Sequence, residues 1–142
     1  MLQPPHDELD ERDYRYLLAV RSAIARFTRR GEERAQQLGL THAQHHLLLA
    51  VRAHPAGPPG IVDVAAHLAL RANSAAELVN RAVAGGYLER PRDTVNRRRV
   101  HLQLTANGAD RLAALTHDQL ADLSDLITTL SANGADQKKQ GG

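Results

Sequence analysis

The sequence predicts a mainly α-helical protein with a small antiparallel β-hairpin. Over most of the 142 residues, apolar side chains recur every three or four positions, which is the period of a helix with one buried face. Between Tyr87 and Leu104 the period changes to two, which is typical of half-buried strands. Hydrophobic residues make up 42% of the chain but aromatic residues only 3%, so we expect a core of Leu, Ala, Val and Ile.

A long first helix is expected at about residues 9–38. Its apolar positions follow helical spacing: Leu17, Val20, Ile24 and Phe27. Gly31 could interrupt this helix, and Gly39 is expected to end it because glycine readily adopts the left-handed conformation that closes a helix. A second helix begins at Thr41, which forms a capping-box pattern with Gln44.

Two shorter helices follow, a third at about 61–70 and a fourth at about 74–84, with a turn at 71–73 between them. The fourth helix has two different faces. One face is an apolar stripe: Ala75, Leu78, Val79, Ala82 and Val83. The opposite face is polar, so this helix is expected to pack on the core by one side and to expose the other.

The hairpin is expected to consist of strands at about 87–90 and 99–104, joined by the polar loop PRDTVNR. Thr105 then caps a last helix that extends to about Leu130. Residues 9–130 are thus expected to form a single domain. The polar ends of the chain are expected to be disordered: residues 1–8 and 131–142.

Two short helices joined by a tight turn and followed by a basic hairpin are the arrangement of a winged helix-turn-helix, here residues 41–104. The major groove of B-DNA admits one helix, whose exposed side chains reach the base edges. The residues expected to contact DNA from the fourth helix and the turn before it are Arg71, Asn73, Ser74, Glu77 and Arg81.

The hairpin concentrates positive charge. Five arginines and two acids lie between Glu89 and His101, an excess of three charges against a net charge of +2 for the whole chain. Arginine suits the strongly negative minor groove of DNA. The expected contacts from the hairpin are therefore Arg92, Arg97, Arg98 and Arg99. An arginine-rich loop or a polar helix face alone is typical of a solvated surface, and it is their order along the chain that favours DNA binding.

The segment Val62–Gly108 resembles the MarR (multiple antibiotic resistance regulator) family of winged helix-turn-helix transcription regulators. The stretch LVNR, followed by a glycine and YLER, is similar to the family's recognition helix running into its wing. The stretch DTVNRRRVHLQLTANG is similar to the wing and the start of the next helix. The likeness extends more weakly to the first two helices and so covers about residues 9–116. It implies a homodimer on a pseudo-palindromic operator, joined through helices 9–38 and 105–130, and a repressor whose DNA affinity a small ligand modulates.

The histidines leave one alternative open. His42, His45 and His46 lie on one predicted helix at spacings that can share a face, which is compatible with a zinc-responsive regulator. We expect no metal, because the chain has no cysteine and offers no obvious third ligand. We expect His45 and His46 instead to line a pocket for the small effector, together with residues of the first helix: Tyr16, Leu17 and Phe27.

Several other classes of protein are disfavoured. The absence of cysteine excludes disulfides and a thiol nucleophile, and no apolar run reaches the roughly 20 residues that span a bilayer. No catalytic arrangement or glycine-rich phosphate loop is recognisable, so neither an enzyme nor a cofactor is expected. The start of the sequence lacks the features of a signal peptide, which predicts a cytoplasmic protein. A winged helix used only for protein–protein interaction remains the other alternative.

Overall fold

A computed structural model describes residues 8–91 and 100–140 of the chain, with side chains up to residue 134. Within these ranges the protein forms five helices and two short strands. Their bounds are α1 Glu11–Gln37, α2 His42–Ala53, α3 Ile61–Leu68, α4 Ala72–Ala84, β1 Leu88–Glu89, β2 Gln103–Leu104 and α5 Ala106–Gln140. None of the helices, over the described residues, is long and apolar enough to cross a membrane.

The chain divides into two compact units. The central unit comprises residues 31–118, and the terminal unit comprises the described residues before Gly31 and after Asp118. In the central unit, α2, α3 and α4 pack against one another, and β2 packs against α2. The largest fully buried side chains there are aliphatic, as composition predicts: Leu40, Leu47, Leu48, Val64, Val79, Leu88, Leu102 and Leu115.

Side-chain caps fix the starts of α2 and α5. The Thr41 hydroxyl accepts a hydrogen bond from the Gln44 backbone N–H over 3.1 Å, and the Gln44 side chain accepts one from the Thr41 N–H over 3.0 Å. This is the predicted capping box. The Thr105 hydroxyl accepts from the Gly108 N–H over 3.0 Å and donates to the Gly86 carbonyl over 2.6 Å, so the start of α5 is also attached to the residues before β1.

The hairpin has the predicted antiparallel pairing but shorter strands. Leu88 lies opposite Leu104, and Glu89 lies opposite Gln103. The Leu102 N–H donates to the Pro59 carbonyl over 2.8 Å, which fastens the second half of the hairpin to the segment before α3. The predicted loop falls largely at 92–99, outside the described residues.

The turn between α3 and α4 differs from the prediction. Helix α3 ends at Leu68, and Ala69 adopts the left-handed conformation with φ 53°. Leu70 donates to the Ala65 carbonyl over 2.9 Å, which closes the helix end. The turn is thus residues 69–71 and not 71–73, because an alanine occupies the position at which a glycine ordinarily marks a helix end.

The two long helices differ from the patterns in other ways. Helix α1 passes through Gly31 without interruption, since a glycine costs a helix only about 1 kcal/mol relative to alanine. Helix α5 continues to Gln140, so the prediction of a disordered tail is wrong for residues 131–140. The end of the apolar seam at Leu130 was taken as the end of the helix, but backbone hydrogen bonds continue a helix without an apolar face.

His45 is buried in α2, with only 3% of its surface exposed. Within the described residues its Nε2 atom has no hydrogen-bond partner. Burial lowers the pKa of His45 below its ordinary value of 6.5, and the neighbouring His42 and His46 lower it further. Protonation of the His45 ring is therefore disfavoured in the folded protein, because burial penalises the charged form.

We expect Gly108→Ala to destabilise the protein. A β-carbon at this position in the first turn of α5 would overlap the Tyr87 carbonyl oxygen. Urea denaturation should show a loss of about 1–3 kcal/mol in the free energy of unfolding. The matched control is Gly134→Ala in the same helix, where the nearest atom is the Tyr16 hydroxyl at 3.8 Å, so stability should stay the same or rise. Equal changes in both variants would contradict the close approach.

The buried His45 also predicts a pH dependence. The unfolded chain binds a proton at this residue near pH 6.5, whereas the folded chain binds it only at lower pH, so the free energy of unfolding should fall as the pH drops below 6.5. His45→Leu should reduce this loss. The exposed His42→Gln should retain most of it. Parallel pH profiles for His45→Leu and the natural chain, measured by urea denaturation, would refute the assignment.

Candidate nucleic-acid interface

Helix α4 exposes a polar face to solvent, and a buried apolar stripe on its other side holds the helix in place. Its buried residues are Ala75, Leu78, Val79 and Ala82. Its exposed polar residues are Asn73, Ser74, Glu77, Asn80 and Arg81. The helix is therefore anchored in the core of the central unit, and the side chains on its outer face are accessible to a ligand.

The N-terminal end of α4 also has no side-chain cap. Arg71 occupies the N-cap position in an extended conformation, is exposed, and makes no capping hydrogen bond. Asn73 lies within the first turn, where its side-chain oxygen accepts a hydrogen bond from the Ser74 N–H over 3.0 Å. The positive end of the helix dipole and the Arg71 guanidinium both favour an anion such as phosphate at this end.

Arg90 and Asn80 form a contact that sequence reasoning missed. The Nη1 atom of Arg90, in the residue after β1, donates to Oδ1 of Asn80 on α4 over 2.7 Å. Arg90 belongs to the arginine-rich segment between Glu89 and His101, and Asn80 belongs to the polar face of α4. Nothing in the sequence pairs them, because ten residues and a change from helix to strand separate the two.

The base of the hairpin lies next to this face of α4, because β1 packs against α4. Across the hairpin, the Gln103 side chain donates to the Glu89 carboxylate over 3.1 Å. The four arginines predicted to contact DNA from the loop lie outside the described residues: Arg92, Arg97, Arg98 and Arg99.

The three histidines of α2 do not form a metal site. His45 is buried, whereas His42 and His46 are exposed. In the described part of the chain, no group of three or more His, Asp or Glu side chains could hold a metal ion. A further pair was not predicted: Nδ1 of His54 and Nε2 of His67 lie 2.9 Å apart and join the end of α2 to α3. The geometry thus gives no support to the zinc alternative.

The residues predicted to line an effector pocket are divided between the two units. Tyr16, Leu17 and Phe27 belong to the terminal unit, where Phe27 lines a cavity of about 190 Å³ beside Asp122. His45 and His46 belong to the central unit.

The central unit has two larger cavities, of about 510 and 460 Å³, and neither His45 nor His46 lines them. Arg52 and Leu104 border both cavities. The remaining walls include Val51, Pro58 and Leu102 in the first cavity and Leu49 and Leu112 in the second. These two cavities offer space for a small molecule in this unit, and the role of His45 and His46 stays a prediction.

No protein-family model and no curated protein matches the chain. Solved structures do. A mutant of MepR from Staphylococcus aureus bound to an oligodeoxyribonucleotide is 23% identical, with a TM-score of 0.66 over 94% of each chain. A mutant of MarR from Escherichia coli complexed with operator DNA is 24% identical, with a TM-score of 0.62 over 80% of this chain and 78% of that one.

The MarR family transcriptional regulator AbsC from Streptomyces coelicolor is 15% identical, with a TM-score of 0.69 over 88% of this chain and 84% of that one. The similarity in all three cases extends over most of both chains. The predicted fold class is therefore confirmed: this chain has the winged helix-turn-helix fold of MarR family transcription regulators.

Proposed function

We propose that the protein is a sequence-specific DNA-binding transcription regulator that uses residues 41–104 as a winged helix-turn-helix. The observation that carries this proposal is the position of α4. Its polar outer face lies beside a hairpin that leads directly into the arginine-rich segment 90–99. A duplex needs a helix for its major groove and cationic side chains for the adjacent backbone or minor groove.

The side chains on α4 suit base recognition. Asn73, Ser74 and Glu77 are exposed in the first two turns, which is the end of a recognition helix that ordinarily touches bases. Amide, hydroxyl and carboxylate groups can each pair with donors or acceptors in the major groove. Arg71 and Arg81 would contact phosphates on either side, because arginine binds phosphate with charge-assisted hydrogen bonds.

The arginines of the hairpin would contact the minor groove beside the major groove that α4 enters. Arg92, Arg97, Arg98 and Arg99 supply four positive charges within eight residues. Neutralised phosphates release counterions, so such contacts make DNA binding depend steeply on salt. Two proteins with the same fold, the MepR and MarR mutants, have been solved with DNA, which supports the same use of the fold here.

The terminal unit supports a homodimer. Large apolar side chains are exposed on both of its helical segments and just before α1: Leu9, Tyr14, Leu17, Leu18, Ile24, Leu120, Leu123 and Ile127. A concentration of exposed apolar side chains is typical of a protein–protein interface. A two-fold dimer would place two copies of α4 for the two halves of a pseudo-palindromic operator. We propose that the protein acts in this form, in the cytoplasm.

We further propose that the protein is a repressor whose DNA affinity a small molecule modulates. The cavity of about 510 Å³ supports this, because Leu102 and Gln103 at the base of the hairpin form part of its wall. A molecule bound there would contact the segment that carries the arginines. A ligand that binds better when this segment is in one position than in another shifts the protein toward that position. The change in position alters how the segment contacts a duplex.

The DNA-binding proposal can be tested by a gel-shift titration over a range of salt concentrations. We expect Arg97→Ala to weaken binding to all duplexes and to reduce the slope of log affinity against log salt by about 0.9. Asn73→Ala should instead change the sequence preference. Arg15→Ala, which removes the same charge from the terminal unit, is the control and should bind normally. Unchanged affinity in Arg97→Ala would contradict the role of the wing, and no duplex binding by the natural chain would favour a protein-interaction role.

The dimer can be tested by sedimentation equilibrium. Leu18 and Leu120 are 66% and 60% exposed, and an aspartate at either position would place a charge in the apolar contact. Leu18→Asp and Leu120→Asp should each weaken self-association by at least about tenfold. Val62→Asp is the matched control, because Val62 is 75% exposed but belongs to the central unit. A monomeric natural chain, or equal effects of all three substitutions, would disprove the proposed interface.

A further inference from the structure

The contact between Asn80 and Arg90 lies on the face of α4 that the proposed function assigns to DNA. Asn80 is exposed on the helix, and Arg90 is exposed immediately after β1. Seven residues separate Asn80 from Asn73, so both amides lie on the same side of the helix, two turns apart. Asn80 is therefore in line with the residue that sequence reasoning selected as a base contact.

The chemistry of this contact fixes the orientation of the Asn80 amide. A guanidinium group has only N–H donors, so the atom that lies 2.7 Å from Arg90 Nη1 must be the amide oxygen. The NH2 group of Asn80 is then on the other side of the amide. The pair therefore offers a ligand hydrogen-bond donors: the NH2 group of Asn80 and the remaining N–H groups of Arg90.

Arg90 has a neutral partner in this contact. Within the described residues it forms no ion pair with an acid, and its hydrogen bond is to the neutral amide of Asn80. The adjacent acid, Glu89, is instead bonded to Gln103 across the hairpin. The Asn80–Arg90 pair is consequently cationic as well as rich in donors, which suits an anionic duplex.

Among the base edges of the major groove, guanine matches this pair. Guanine alone presents two acceptors, N7 and O6, for a pair with two donor groups, whereas adenine presents N7 beside an amino donor, thymine presents only the acceptor O4, and cytosine presents an amino donor. Asparagine pairs with adenine by accepting through its side-chain oxygen, and in Asn80 this oxygen already accepts from Arg90. We propose that Asn80 reads a guanine through its NH2 group and that Arg90 is the positioning residue that holds the amide in this orientation. The proposal rests on the DNA-binding function proposed above.

The test is a selection from randomised duplexes with the full chain and four variants. Asn80→Ala should lose a preference for guanine at one position of each half-site and bind the preferred duplex about tenfold more weakly. Arg90→Ala should lose the preference at the same position, because the amide is then free to rotate. The double variant should show no further loss of preference there, since both substitutions remove one reading unit.

Glu89→Ala is the matched control, because it removes an exposed hydrogen bond from the same hairpin, the one from Gln103, without changing α4, and Glu89 lines neither cavity of this unit. Its preference profile should equal that of the natural chain. The unfolding midpoint of every variant should be unchanged, which separates recognition from stability. This comparison also distinguishes loss of the positioning contact from damage to the hairpin.

Three outcomes would overturn the inference. One is a preference for adenine at the affected position, and another is an unchanged profile in Asn80→Ala. The third is an equal loss for all sequences together with a smaller salt slope, which would identify a phosphate contact. If the natural chain binds no duplex selectively, the proposed function itself fails. If it does bind selectively and only the guanine preference is unaffected, this inference alone fails.

Discussion

The candidate interface depends on one junction, at which α4 ends, β1 begins and α5 starts. The Thr105 N–H donates to the Tyr87 carbonyl over 3.1 Å, and the Thr105 hydroxyl donates to the Gly86 carbonyl over 2.6 Å. Gly108 allows the backbone of α5 to lie directly on the backbone of Tyr87. Both strands of the hairpin therefore meet near the end of α4, where these hydrogen bonds join the start of α5 to the residues just before β1.

Side chains of α5 reinforce this junction. Arg111 on α5 donates to the carbonyl of Leu38, just after α1, and its guanidinium lies 5.4 Å from the centre of the Tyr87 ring. Its Nε atom donates to Asn107 over 3.0 Å, which holds the side chain in place. A cation above an aromatic face contributes about 0.5–1 kcal/mol at exposed sites. The end of α1, the start of β1 and the first turns of α5 thus meet through one arginine.

The two units use their apolar residues differently. The central unit buries most of its leucines and valines and leaves a polar face on α4, whereas the terminal unit leaves large apolar side chains exposed on both of its helical segments. A polar, cationic surface suits a nucleic acid, and an apolar one suits another protein surface. This division is what the proposed dimeric DNA-binding regulator requires.

The sequence by itself determined the elements whose signals are local. Thr41 and Gln44 predict the start of α2, and Thr105 predicts the start of α5, because a capping bond joins residues three positions apart. The alternation at Leu102 and Leu104 predicts the second strand, because a period of two is also a signal between residues close along the chain. The polar face of α4 also followed from spacing alone, so most of the expected contacts on this helix are exposed as predicted, among them Asn73.

Only the tertiary structure decided the rest. No glycine in the sequence marks the turn at Ala69, and the helix beyond Leu130 has no apolar stripe. Periodicity could not show that His45 is buried while its neighbour His46 is exposed. The pairing of Asn80 with Arg90 depends on how β1 packs against α4. These features arise from contacts between segments distant along the chain, and a local pattern carries no information about such contacts.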